Sequence, residues 1–316
     1  MAAIPDSCDQ IMIAKIRFQL FVIAVLAALV HGITLAGAQK KDCECEKRPQ
    51  GPKPQIISAV ENCQVETVTN LIRNGASIES KDDEGNTLLK YSIEKKCESL
   101  VDLLLASGAN ANSPSIYGRT PFMSAVSSGS VQLVQRLIAS GSDVNFKDKF
   151  RQPALFYAND LAMVKILVEA GADVNVADHE KMTPLIHAVM NCDEERIVYL
   201  VDHGADVTAR NAIGVTPLHM ASCGPRPRII QSLVSGGANV NAQDNEGLTP
   251  LMSTMGYPDN TELIIEAGAD VNLTDKKGRT ALDHAMKIDT FRKEILKILR
   301  DAGAVSGRSV PSARRK

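Results

Sequence analysis

The sequence predicts an all-α repeat solenoid, and three observations carry that reading. A glycine followed by a small residue recurs at Gly75, Gly108, Gly141, Gly171, Gly204, Gly237, Gly268 and Gly303, at steps of 33, 33, 30, 33, 33, 31 and 35 residues. An apolar run at helical spacing precedes each glycine, as in Leu100-Val101-Asp102-Leu103-Leu104-Leu105. A Thr-Pro-apolar phrase opens the other helix of most repeats: Thr120-Pro121-Phe122, Thr183-Pro184-Leu185, Thr216-Pro217-Leu218-His219 and Thr249-Pro250-Leu251, with Thr280-Ala281-Leu282 as a variant. Self-similarity at a fixed period marks stacked helix pairs, each unable to bury its apolar face alone.

The N-terminal 38 residues read as a secretory signal. Lys15 and Arg17 precede an apolar run from Phe18 to Val30, broken only by Gln19, and Leu35-Ala36-Gly37-Ala38 supplies the small residues of a cleavage site. Cleavage is expected after Ala38, and Met12 is a candidate for the true start. The other reading is a single uncleaved N-terminal anchor, since a bilayer needs ~20 apolar residues. Residues 39–55 form a leader with Pro49, Pro52 and Pro54, a composition that favours an extended spacer. Residues 305–316 carry Arg308, Arg314, Arg315 and Lys316 among Ser, Gly and Pro, and are expected to be a flexible basic tail.

Residues 56–304 hold the array: a helical cap from Ile56 and about seven fuller repeats. Each landmark has a physical task. Thr offers its hydroxyl to an orphan backbone N–H at the start of the first helix. Pro suits the first helical turn, where its missing N–H costs nothing. Small residues such as Ala125, Ala158, Ala188 and Ala221 let neighbouring helices approach, and Leu133, Val134, Leu137 and Ile138 give the second helix its apolar face. Gly ends that helix in the left-handed conformation. The short steps near Phe156–Asp160 and Gly256-Tyr257-Pro258 predict shortened helix–helix turns. Two prolines fill the turn Gly224-Pro225-Arg226-Pro227.

The period and the Thr216-Pro217-Leu218-His219 tetrapeptide resemble the ankyrin repeat family. The resemblance covers about residues 56–304. Only that one copy is complete, and Gln152-Pro153-Ala154-Leu155 departs furthest. The resemblance implies helix-turn-helix repeats with β-hairpin fingers, a non-enzymatic protein–protein interaction role, and a partner on the concave face of fingers and first helices. It also implies that His219 bonds to a neighbouring loop.

Composition narrows the function. Apolar residues make up 44% and charged residues 23%, enough for a core. Aromatics reach 4% without Trp, which disfavours stacking on bases, and the net charge of −2 gives no drive toward nucleic acid. Acidic residues outnumber basic ones within the array, which favours a basic or mixed protein partner. No catalytic elbow, phosphate-cradling glycine loop or metal-ligand spacing is present in the sequence, so no enzyme, cofactor or metal is expected. His187, Cys192, His219 and Cys223 make no close-spaced ligand motif.

An exported chain permits disulfides among Cys43, Cys45, Cys63, Cys97, Cys192 and Cys223. Equivalent positions of stacked helices lie ~8–10 Å apart, beyond the ~7 Å that a bridge spans. The expected pairing therefore joins Cys43 or Cys45 of the leader to Cys63 or Cys97, with Cys192–Cys223 as a second candidate. Finger tips supply the candidate partner-binding residues: Ile116, Tyr117, Arg119, Asp148, Lys149, Phe150, His179, Glu180 and Ile213. Tyr117 and Phe150 on neighbouring fingers are the leading contacts. Phe150 is read as standing where a finger glycine belongs, distorting that finger. The partner is expected to be another protein, met by a monomer in the periplasm or outside the cell, with no stable membrane insertion after cleavage. The alternative role is an accessory or chaperone-like factor that stabilises one exported enzyme.

Overall fold

In the computed structural model, the described residues are 54–254, 256–288 and 291–307. The expected signal, nearly all of the expected leader, Cys43, Cys45 and the expected tail beyond Gly307 lie outside them. They fall into two compact units, one ending at Pro184 and one beginning at Leu185.

The first unit holds α1 (Gln55–Glu61), α2 (Val65–Arg73), α3 (Leu88–Glu94), α4 (Glu98–Ala106), α5 (Pro121–Ser128), α6 (Val131–Ala139), a 3-10 turn (Ala154–Tyr157) and α7 (Leu161–Glu169). Helix α8 (Pro184–Met190) follows at the boundary. The second unit continues with α9 (Glu194–Asp202), α10 (Pro217–Ser222), α11 (Pro227–Ser235), α12 (Pro250–Ser253), α13 (Pro258–Glu266), α14 (Ala281–Ala285) and α15 (Arg292–Asp301). Each pair packs on the next: α1 on α3 and α3 on α5 in the first unit, α10 on α12 and α12 on α14 in the second. Ile57, Leu88, Leu100, Phe122, Leu137 and Leu167 are fully buried in the first core; Leu185, Leu200, Leu218, Leu233 and Ile264 are fully buried in the second.

The capping expectation holds at four first helices. Thr87, Thr120, Thr216 and Thr249 each accept from a backbone N–H three residues on, at 3.2–3.4 Å. The glycine closing α2 is left-handed at φ 92°. Its N–H bonds to Ile72 O and the next N–H bonds to Leu71 O, which satisfies two carbonyls at the helix end.

One recurrent device was not read from the sequence as such. At four places an Asn of the phrase that follows the closing glycine struts one repeat against the next. Asn112 donates to Gly141 O (3.1 Å) and accepts from Asp143 N (2.8 Å). Asn145 does the same to Gly171 and Asp173, Asn241 to Gly268 and Asp270, and Asn272 to Gly303 and Val305. Val305–Gly307 is thus held to the array, where a loose tail was expected from Val305. Thr280 Oγ1 bonds Val305 O, and Asp283 accepts from Ser306 Oγ and Gly307 N. These three residues stand where the loop of a further repeat would.

Three expectations change. The short steps fall on first helices, not on turns. Pro153 takes the place of the capping Thr, no side chain caps the segment, and the helix shrinks to the 3-10 turn Ala154–Tyr157. In α12 the buried Thr254 hydroxyl bonds to Leu251 O, and the helix stops at Ser253. The expected β-hairpins are tight turns: among the described residues there is no strand, only an isolated antiparallel bridge between Lys81 and Thr87.

The disulfide pairing also differs. Cys63 and Cys97 bond to each other, with Cα atoms 5.8 Å apart. They are not equivalent positions. Cys63 fills the left-handed turn position (φ 54°) that Lys96 fills in the next repeat (φ 56°), and Cys97 lies one residue further on, at the N-cap of α4. That offset brings the Cα atoms within bonding range. No Cys192–Cys223 bridge forms; Cys223 Sγ donates to His219 O at 3.3 Å.

Candidate protein-binding surface

The fingers are built by one short rule. Their first residue is Asp82, Ser115, Asp148 or Asp178 in the first unit, and Asn211, Asp244 or Asp275 in the second. Its backbone closes the turn in both directions, as in Asp82 N to Asn86 O (3.1 Å) and Gly85 N to Asp82 O (2.9 Å). Where it is Asp or Asn, one side-chain oxygen accepts the N–H groups two and four residues on, as Asp148 does from Phe150 and Gln152 at 2.8 and 2.9 Å. The fourth residue is left-handed.

Five fingers place Gly at that fourth position: Gly85, Gly118, Gly214, Gly247 and Gly278. The other two place Arg151 (φ 62°) and Lys181 (φ 56°) there. Phe150 is therefore one residue before the glycine position, and its finger keeps the common geometry. At Gly118 the absence of a side chain has a second cause. A Cβ there would come within 2.8 Å of Lys149 N and 2.9 Å of Asp148 Cα.

Close stacking at Gly85 and Gly118 lets the fingers form a backbone ladder, Ile116 N to Glu84 O (2.8 Å) and Lys149 N to Tyr117 O (3.0 Å). Between the finger that carries Arg151 and the next, that ladder bond is not made. Instead the ring Nε2 of His179 contacts Lys149 O at 2.8 Å. In the second unit Asn245 N bonds Ile213 O and Lys276 N bonds Glu246 O.

Several finger aspartates serve the interior. Tyr91 donates to Asp82 and Tyr157 to Asp148, each from the helical segment that follows its finger. Burial and the facing carboxylate push both phenols well above their usual range. Burial opposes ionisation of Asp275, yet hydrogen bonds from Arg279, His284 and backbone N–H groups outweigh it and hold its carboxyl down to about 2. His219 is buried. Its Nε2 contacts Leu248 O at 2.9 Å and its Nδ1 faces the Thr216 hydroxyl at 2.8 Å, so it ties its helix to the next finger as expected. Burial lowers its pKa. Among the described residues, no group of three His, Cys, Asp or Glu side chains is placed to hold a metal ion.

The candidate contact residues divide on this geometry. Tyr117 (53% exposed), Phe150 (56%) and Ile116 (44%) are the exposed large apolar side chains among the described residues up to Pro184. They sit on two adjoining fingers joined by the Lys149–Tyr117 bond. Lys149 and His179 are exposed beside them and Glu180 is half-buried. Asp148 is a correction: it is only 5% exposed, because its carboxylate is used up by its own turn and Tyr157. Arg119 lies over the Tyr157 ring, 4.3 Å from its centre, and is half-buried. Ile213 is half-buried on a finger of the second unit. The sequence reading missed Arg151 and Lys181 as tip residues. Aligning the fingers on their first Asp, four residues before the closing one, would have found them.

Among the described residues no helix is long and apolar enough to cross a membrane. Residues 56–148, 154–244 and 218–308 match the family model described as ankyrin repeats. An ankyrin repeat domain from Acinetobacter baumannii AYE is 30% identical, with a TM-score of 0.55, covering 58% of this chain and 98% of its own. The human ASB11 ankyrin repeat domain is similar in fold at 20% identity and a TM-score of 0.56, covering 69% of this chain and 99% of its own. No curated protein matches the chain.

Proposed function

The chain belongs to the ankyrin repeat family, and on that premise we propose that it is a non-enzymatic module that binds another protein through the fingers of its first unit. Ankyrin repeats are in general protein-interaction modules. The observation that carries the reading is the clustering of Ile116, Tyr117 and Phe150, exposed side by side on two fingers whose backbones are bonded together. Large apolar side chains on a rigid frame bind with little ordering cost, and Tyr is a frequent anchor. Lys149 and His179 border the cluster.

The proposed setting is outside the cytoplasm, periplasmic or secreted, supported by the basic-apolar-small order of residues 15–38. Sequencing the mature N-terminus tests it: a start at Gln39 supports cleavage, and an intact N-terminus supports an anchor. The binding reading is tested by affinity capture with the wild type and with Tyr117→Ala. Tyr117→Ala is expected to weaken capture by about 2 kcal/mol or more while circular dichroism and the melting curve stay unchanged. Unchanged capture would overturn the assignment. A single captured enzyme that loses stability without this chain would narrow the role to an accessory factor.

A further inference from the structure

We infer that the segment recognised by this finger face is acidic beside its apolar anchor, although the array as a whole is acidic. This deepens the proposed function and rests on it. Lys149 and Arg151 flank Phe150 on the third finger, which is bonded to the finger of Ile116 and Tyr117, and Lys181 is on the fourth finger; all three basic side chains are exposed. Of the three acids on those fingers, Glu180 is half-buried beside Lys181 and leaves the cluster net positive, and the other two do not face outward. Asp148 and Asp178 are buried, and each accepts the N–H groups of its own turn. Asp148 also accepts from Tyr157, and Asp178 from Gln152 Nε2 at 3.2 Å.

The basic residues stand at a cost to the backbone. Arg151 and Lys181 are left-handed at positions that the five other fingers give to Gly. A long side chain is disfavoured there, and such strain points to a use. On the opposite side of the apolar pair, Asp83 and Glu84 are exposed on the first finger, whose Glu84 O accepts from Ile116 N. Charge therefore changes sign across four consecutive fingers, with the apolar residues in the middle. Counting net charge over the array hides this, because it adds residues from every face. A bound segment would lay its apolar residue on Tyr117 and Phe150 and its carboxylates toward Lys149, Arg151 and Lys181.

The test uses random peptides displayed on phage and selected on the full chain. The expected outcome is enrichment of sequences with Asp or Glu next to an aromatic or large aliphatic residue. A synthetic peptide of the enriched sequence should bind at least ten times more weakly to Lys149→Glu and to Arg151→Gly, and more weakly as salt is raised. Arg151→Gly removes the charge while relieving the backbone, so misfolding does not account for its loss. Enrichment of basic or uncharged sequences, or unchanged binding by both charge variants, would overturn the inference. Loss with Tyr117→Ala alone would leave the finger face standing and sink only the acidic partner. No enrichment, or selected peptides indifferent to all three variants, would count against the face itself.

Discussion

At the scale of single residues, the left-handed finger position separates two needs, backbone freedom and room. Gly118 has both, since it is at φ 80° and a Cβ would meet the next finger's backbone. Gly118→Ala is expected to lower stability by about 2 kcal/mol, and Arg151→Gly to be neutral or to raise it by up to ~1 kcal/mol. Chemical denaturation of the two variants checks the contrast; equal effects would show that close stacking between fingers contributes nothing. The buried histidine gives a pH dependence. His219 is held neutral by burial, so its folded pKa lies below that of the unfolded chain, 6.5. As pH falls below about 6.5 the unfolded state takes up the proton first, and stability declines. His284 acts in the same direction. Asp275 acts lower down: its contribution is present above its ordinary pKa of 3.8 and is lost only as pH falls toward about 2. Melting curves from pH 7.5 to 5.5 should slope downward for the wild type and flatten for His219→Ala.

At the scale of elements, the array is held by repeated local devices, and its exceptions are informative. Asn112, Asn145, Asn241 and Asn272 each bridge to the following repeat, but Thr208 occupies the same place and bonds within its own loop to Asp206 Oδ1 at 2.6 Å. Thr208→Asn should restore the strut toward the loop around Gly237 and raise stability by about 1 kcal/mol. An unchanged or lower denaturation midpoint would show that the strut adds nothing there. Helix positions were legible because Thr, Pro and Gly each solve a problem of helix ends that any stacked pair must meet. The shortened first helices were not, because a step of 30 or 31 residues says how much chain is missing and not where. Pro153 in a capping position and the buried Thr254 hydroxyl decide that only in their packed surroundings. The Cys63–Cys97 bond was missed for a related reason: an offset of one residue within a turn changes a Cα separation by several ångströms.

At the scale of the whole molecule, the repeat fold was legible because every copy restates it. The candidate site was legible only in part. Ile116, Tyr117 and Phe150 stand out as large apolar residues in finger loops that are mostly polar. The burial of Asp148 and the tip positions of Arg151 and Lys181 depend on the register of the finger turn, which a glycine-based alignment loses where Gly is replaced. The central claim is that the chain acts by holding a partner on these fingers. The most direct measurement places a photo-crosslinking amino acid at position 117, at position 150, or at the exposed Val198 of the second unit, in the protein inside its own cells. The account predicts a covalent adduct with a second protein from positions 117 and 150 and none from 198. Adducts from 198 alone, or from none of the three, would contradict it.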